Sequence, residues 1–122
     1  MKYGLIVDDS AVIRKVGRRI LDMLGFDSAE AADAAGALEQ CANLMPDVIL
    51  LDWSLPAGDT LAALRTLRRL PGGDSAKIIY CATENDPLAT SVALRAGADD
   101  ILFKPFDRCA VREKLESVGL ID

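Results

Sequence analysis

Four short apolar runs and one weaker, alternating segment, each followed by residues at helical spacing, restrict this chain to a parallel sheet covered by helices. Tyr3 to Val7 reads as a buried strand, with Ser10 as the cap of a following helix. Ile13, Val16, Ile20 and Leu24 are expected to line its buried face, and Gly25 stands where a helix C-terminal glycine belongs. Asp27 to Ala31, polar at alternate positions, suits a sheet edge, and a helix is predicted from about Ala34 to Ala42. Val48-Ile49-Leu50-Leu51 is the strongest strand, apolar on both faces as a central parallel strand must be. Leu61, Leu64 and Leu67 mark the third helix, which Pro71-Gly72-Gly73 ends, and Ile78 to Cys81 gives a fourth strand. Asp86-Pro87 opens a helix that Gly97 closes, and Ile101-Leu102-Phe103 is the fifth strand. A last helix, from about Asp107 to Val118, is expected to bury Val111, Leu115 and Val118. The expectation is an α/β fold: a doubly wound five-stranded parallel sheet, right-handed crossovers placing five helices on both faces, in one domain spanning residues 1–122.

The chain has no histidine. That excludes histidine acid–base catalysis, Ser-His-Asp and Cys-His nucleophiles, histidine metal sites, and a role as the phosphohistidine donor. A formal net charge of −5 and a pI near 4.7 argue against non-specific nucleic-acid binding, which needs a basic surface to displace counterions. Cys41, Cys81 and Cys109 form no C-x-x-C pair and are read as reduced thiols packed as small hydrophobes. Met1-Lys2-Tyr3 leads straight into a strand, with no signal peptide and no apolar stretch approaching a membrane span, so a soluble cytoplasmic protein is expected.

In an open parallel sheet, ligands bind beyond the carboxyl ends of the strands. That rim is predicted to carry Asp8 and Asp9 after strand one, Asp52 ending strand three, Ala82-Thr83-Glu84 after strand four and Lys104 after strand five. Carboxylates gathered together repel, so one binds a proton or the group holds a cation. Mg²⁺ suits such a site, being hard, partial to oxygen and commonly held between carboxylates and a phosphate. A phosphoryl group arriving on Asp52 needs positioning and charge neutralisation more than covalent help, and Lys104 and a metal supply both. Taken singly, Asp8-Asp9 also reads as a turn capping a helix, Asp52 as a turn aspartate before Pro56, and Lys104 as a solvated lysine. Their convergence on one rim favours the joint reading.

Leu5-Ile6-Val7-Asp8-Asp9-Ser10, Leu50-Leu51-Asp52-Trp53-Ser54-Leu55-Pro56, Ala96-Gly97-Ala98-Asp99-Asp100 and Phe103-Lys104-Pro105-Phe106 resemble, in order and spacing, the receiver domains of two-component response regulators, most like single-domain chemotaxis-type or phosphorelay members. The resemblance implies a flavodoxin-like sheet of order 2-1-3-4-5 without an output domain. It further implies Asp52 as phosphoacceptor, Asp9 as a direct Mg²⁺ ligand, Asp8 bound more loosely or through water, the Ser54 backbone carbonyl as the remaining ligand, and Lys104 paired with the phosphoryl group. A cis peptide before Pro105 and a histidine kinase or histidine phosphotransferase as phosphodonor are implied as well.

Two departures from the family pattern stand out. The family's Ser or Thr at the end of strand four falls on Ala82 here, whether counted from Asp52 or from Lys104; Thr83 is one residue out of register and fills the role only after a loop shift. Ile101 stands where the family often has a Tyr or Phe that swings inward on activation. Ala82 and Ile101 together imply an atypical switch. Gly58-Asp59-Thr60 also replaces the usual Asp-Gly after the proline.

Arg14, Lys15, Arg18 and Arg19 on helix one are either a solvated face with intrachain pairs or, by resemblance, the surface that docks on the phosphodonor. Leu88, Val92, Leu94 and Phe106 are candidates for contact with a downstream protein, against the reading that they pack the core. The competing functions are a pseudo-receiver acting without phosphorylation, and a phosphohydrolase of the haloacid-dehalogenase type. The latter needs an acid–base aspartate two residues after the nucleophile, where this chain has Ser54. A dinucleotide enzyme would carry G-x-G-x-x-G after strand one, and Asp8-Asp9-Ser10-Ala11-Val12 offers none.

Overall fold

A computed structural model describes residues 2–55 and 60–122; the expectations placed on Pro56 and on Gly58-Asp59 lie outside them. β1 (Tyr3–Val7), β2 (Asp27–Ala31), β3 (Val48–Asp52), β4 (Lys77–Ala82) and β5 (Asp100–Phe103) pair in parallel in the order 2-1-3-4-5. The connecting helices are α1 (Ala11–Met23), α2 (Ala34–Asn43), α3 (Thr60–Arg69), α4 (Pro87–Ala96) and α5 (Arg108–Ser117).

Side chains alternate across a strand, so the sheet buries two separate cores. Leu5, Val7, Ile49, Leu51, Ile78, Tyr80 and Ile101 pack with residues of α2, α3 and α4, whereas Ile6, Val48, Leu50, Ile79, Cys81 and Leu102 pack with residues of α1 and α5. β3 is buried at every position, as its unbroken apolar run requires. Ser10, Asp33, Asp86 and Asp107 each accept a backbone N–H at a helix start, fixing where four of the helices leave the strand ends.

The buried stripe of α1 corrects the sequence expectation. It runs through Gly17, Ile20 and Leu21, while Val16 is 41% exposed. Close approach decides this: a Cβ built on Gly17 would come within 3.0 Å of Ile6 Cδ1, so α1 lies against β1 along its glycine. Two smaller corrections concern Val118, the C-cap of α5 and only half-buried, and Cys109, which is exposed while Cys41 and Cys81 are buried.

Arg68 fastens the end of α3 to the opposite half of the molecule. Its guanidinium donates to the carbonyls of Gly73, Ala76 and Gly97 and pairs with Asp99 at 2.7 Å, and Asp99 also accepts from Ile78 N at 2.8 Å. Arg68→Ala strands several partly buried acceptors at once and is expected to cost about 2–4 kcal/mol in urea unfolding. A loss below about 0.5 kcal/mol, the ordinary range for a surface change, would contradict that role.

Candidate phosphoacceptor site

Strand order brings the acidic residues together. β1 and β3 are neighbours with Val7 opposite Leu51, so Asp8 and Asp9 emerge beside Asp52. The Asp8 backbone N–H bonds to Ala31 O at 3.1 Å, and Asp8 Oδ1 accepts from Ser10 N at 2.9 Å, so this carboxylate is held at the start of α1. Asp8 and Asp52 are each 2% exposed and Asp9 is exposed, yet one carboxylate oxygen from each lies within 4.8 Å of the others.

Lys104 comes from two strands away. β4 separates β5 from β3, and neighbouring strands lie roughly 4.8 Å apart, so the lysine must reach across the end of β4. Lys104 N bonds to Ala82 O at 2.7 Å, and Nζ reaches Asp8 Oδ2 at 2.8 Å and Asp52 Oδ1 at 2.6 Å. The Lys104–Pro105 peptide is cis.

The electrostatics are unbalanced. Burial pushes the Asp52 carboxyl above its ordinary range; Lys104 pulls it back, and the charges of Asp8 and Asp9 push it up again. Burial works against the Lys104 ammonium, but its pairing with Asp52 and Asp8 outweighs this and raises its pKa. Asp52 Oδ1, although ion-paired with Lys104, is a buried oxygen that accepts no well-angled hydrogen bond. Beyond Lys104, no described residue donates to that oxygen, which leaves a lone pair of a buried carboxylate free to meet a cation. Three hard oxygen donors, one each from Asp8, Asp9 and Asp52, fit Mg²⁺.

The positions around this pocket are equally specific. Ala82 is the last residue of β4, opposite Phe103, and Thr83 follows it exposed in the loop. Ile101 is 6% exposed, already packed inside the core of the α2–α3–α4 face. Ser54, two residues beyond Asp52, is exposed in the loop after β3, beside the half-exposed Trp53.

The basic residues of α1 divide into two pairs. Arg14 bonds to Glu30 at 2.8 Å and to the Asp8 carbonyl at 2.9 Å, and Arg18 meets Glu30 at 3.0 Å and the Ser28 carbonyl at 3.1 Å, so these two tie α1 to β2. The two guanidinium groups hold Glu30 below its ordinary pKa. Lys15 and Arg19 line a groove between α1 and β2 and have no hydrogen bond or ion pair among the described residues. On the opposite flank, Leu88, Leu94 and Phe103 are 75%, 43% and 41% exposed, while Val92 is half-buried and Phe106 packs against the α1–α5 core. Phe106 is partly buried and does not join this exposed apolar set. Phe103 is exposed instead, a residue hidden from sequence reasoning because its run reads as buried strand.

A family profile described as response regulator receiver domain matches residues 5–116. The chemotaxis protein CheY of Thermotoga maritima is 32% identical over 119 residues, covering 97% of this chain and 98% of its own. CheY of Bacillus subtilis is 34% identical over 112 residues, covering 91% and 92%. The solved structure of chemotaxis response regulator CheY4 of Vibrio cholerae matches with a TM-score of 0.91 at 28% identity, over 97% of this chain and 98% of that one.

Proposed function

The chain belongs to the response regulator receiver domain family, and from that premise we propose that it accepts a phosphoryl group from a phosphohistidine onto Asp52 and signals by binding another protein. One observation carries this reading: an under-satisfied buried Asp52 oxygen faces two further carboxylates and one ammonium.

In the transfer, an Asp52 oxygen bonds to phosphorus as the phosphorus–nitrogen bond of the donor imidazole breaks, and the released nitrogen takes a proton. Asp8, Asp9, Asp52 and the Ser54 carbonyl would hold Mg²⁺, which neutralises charge on the phosphoryl oxygens when bound. Lys104 faces the same oxygens and offsets the charge that Asp52 would otherwise share with Asp8. With Ser54 where a hydrolase needs its second aspartate, the chain is a phosphoacceptor rather than an enzyme turning over an external substrate.

The phosphodonor is a histidine kinase or histidine phosphotransferase, and Lys15 and Arg19 form the docking contact on α1, since Arg14 and Arg18 are already engaged. Reversing the charge of Lys15 and Arg19 together is expected to slow transfer from the protein donor about tenfold or more through loss of steering while leaving labelling by acetyl phosphate unchanged. Equal slowing with both donors would reject docking. Leu88, Leu94 and Phe103 suit a downstream protein partner, and nothing in the acidic composition suits nucleic acid. Among the described residues no helix is long and apolar enough to cross a membrane.

A second reading, a pseudo-receiver, draws on the switch positions: Ala82 has no hydroxyl, and Ile101 is already inside. Thr83 would supply the missing hydroxyl only with a shift of its loop. Phosphotransfer profiling against the host's histidine kinases separates the readings. Labelling that depends on Asp52 supports a phosphoacceptor, and unlabelled chain whose partner binding is indifferent to Asp52→Asn supports the pseudo-receiver.

A further inference from the structure

The proposed transfer leaves unused a tyrosine on the strand next to the acceptor's, one register position back and on the other face of the sheet from Asp52. Tyr80 lies on β4, on the same face as Ala82 and two residues before it. It pairs across with Leu51, just as the next residue, Cys81, pairs with Asp52. Its side chain is 7% exposed, yet its hydroxyl meets no hydrogen-bond partner among the described residues. Among the described residues the one buried side-chain polar atom without a partner is Asp52 Oδ1, so the Tyr80 hydroxyl oxygen itself is not fully enclosed.

What it faces instead is a recess of about 120 Å³, lined by Trp53, Tyr80, Ala82, Thr83, Glu84 and Thr90. The recess thus runs from Trp53, adjacent to Asp52, past the position where a hydroxyl side chain is missing. Burial first, and the Asp52 charge second, push the phenol above its ordinary pKa, so the hydroxyl remains a donor. Two residues along a strand span only about 6.6 Å, and strand side chains lean along the strand direction.

We propose, building on the phosphoacceptor reading above, that Tyr80 senses the phosphoryl group on Asp52, its hydroxyl donating to a phosphoryl oxygen through the space that a Ser or Thr at position 82 would fill. Tyr80 thereby takes over the part that neither Ala82 nor the already buried Ile101 performs. Moving its ring reshapes the recess at Thr83, Glu84 and Thr90, which connects the acceptor to the start of α4 and its exposed Leu88. Unlike a substitution by Thr83, this needs no shift of backbone.

Beryllium fluoride, an analogue of the aspartyl phosphoryl group, tests the proposal in the presence of magnesium, with fluorescence of Trp53, the one tryptophan, as readout. Tyr80→Phe is expected to weaken beryllium fluoride binding about tenfold, the scale of a hydrogen bond to a charged group, while magnesium affinity measured without fluoride and the urea midpoint stay near wild type. In an Ala82→Thr background, which restores a hydroxyl, the same substitution is expected to change binding less than twofold. Equal binding by wild type and Tyr80→Phe, or an equal loss in both backgrounds, overturns the sensor role and leaves the phosphoacceptor reading standing. Wild-type chain that binds no beryllium fluoride overturns both.

Discussion

Magnesium in hundredfold excess over its dissociation constant is expected to stabilise the wild-type chain by about 2.7 kcal/mol, which for a domain of this size raises the melting temperature by roughly 10 °C. The reason lies in the carboxylates of Asp8, Asp9 and Asp52, gathered within 4.8 Å, two of them buried. Lys104 alone does not balance them: burial and the two like charges still leave the Asp52 carboxyl above its ordinary range. Asp52→Asn is therefore expected to melt higher than wild type without metal at neutral pH, and to lose most of the magnesium increment. The pH dependence follows from the direction of the shift. A carboxyl whose folded pKa is raised binds more protons folded than unfolded, so wild-type stability falls as pH rises between its unfolded and folded values. The advantage of Asn should accordingly be full above the folded pKa and vanish as pH drops towards the ordinary carboxylate range. Differential scanning calorimetry across pH, with and without magnesium, measures both effects. An Asn variant less stable than wild type at neutral pH without metal would contradict the electrostatic account.

Lys104→Ala should be the more damaging change. Its Nζ sits between Asp8 and Asp52 at 2.8 and 2.6 Å with the side chain only 13% exposed, so its removal leaves two buried carboxylates without their cation. Breaking a buried pair in this way costs about 3–5 kcal/mol. The loss should be partly recovered by magnesium, and should shrink at low pH, where the carboxylates can protonate. Labelling of Asp52 by acetyl phosphate should slow by about 10²–10³, the usual consequence of deleting one preorganised charge stabiliser. Lys104→Arg separates charge from shape: it is expected to recover more stability than labelling rate, because the guanidinium cannot place a compact charge between the two aspartates. Urea unfolding and single-turnover labelling give the two numbers. A Lys104→Ala chain that labels at the wild-type rate would remove the lysine from the chemistry.

Most of the fold was legible because its signals are local. Apolar runs, caps such as Ser10 and Asp86, and positive-φ glycines such as Gly25 and Gly97 each mark a boundary within a few residues of themselves. The rim was legible too, since in a parallel sheet the residue that ends a strand is also the one that faces the ligand crevice. What escaped depends on pairing between distant segments. Periodicity alone could not tell that α1 lies on β1 along Gly17 and turns Val16 outward. Nor could it assign Arg14 and Arg18 to Glu30, or Arg68 to carbonyls beyond its own helix. Tyr80 was hidden because an aromatic in a β-run reads as core, and only the recess above it shows a hydroxyl without a partner.

The central claim is that these carboxylates let a labile phosphate form on one named oxygen donor. Purified chain treated with acetyl phosphate or phosphoramidate, with and without magnesium, then reduced with borohydride and mapped by peptide mass spectrometry, tests it most directly. One modified residue is expected, Asp52, and only when magnesium is present. No modification under conditions that label an ordinary receiver, or modification elsewhere with Asp52 untouched, would contradict it.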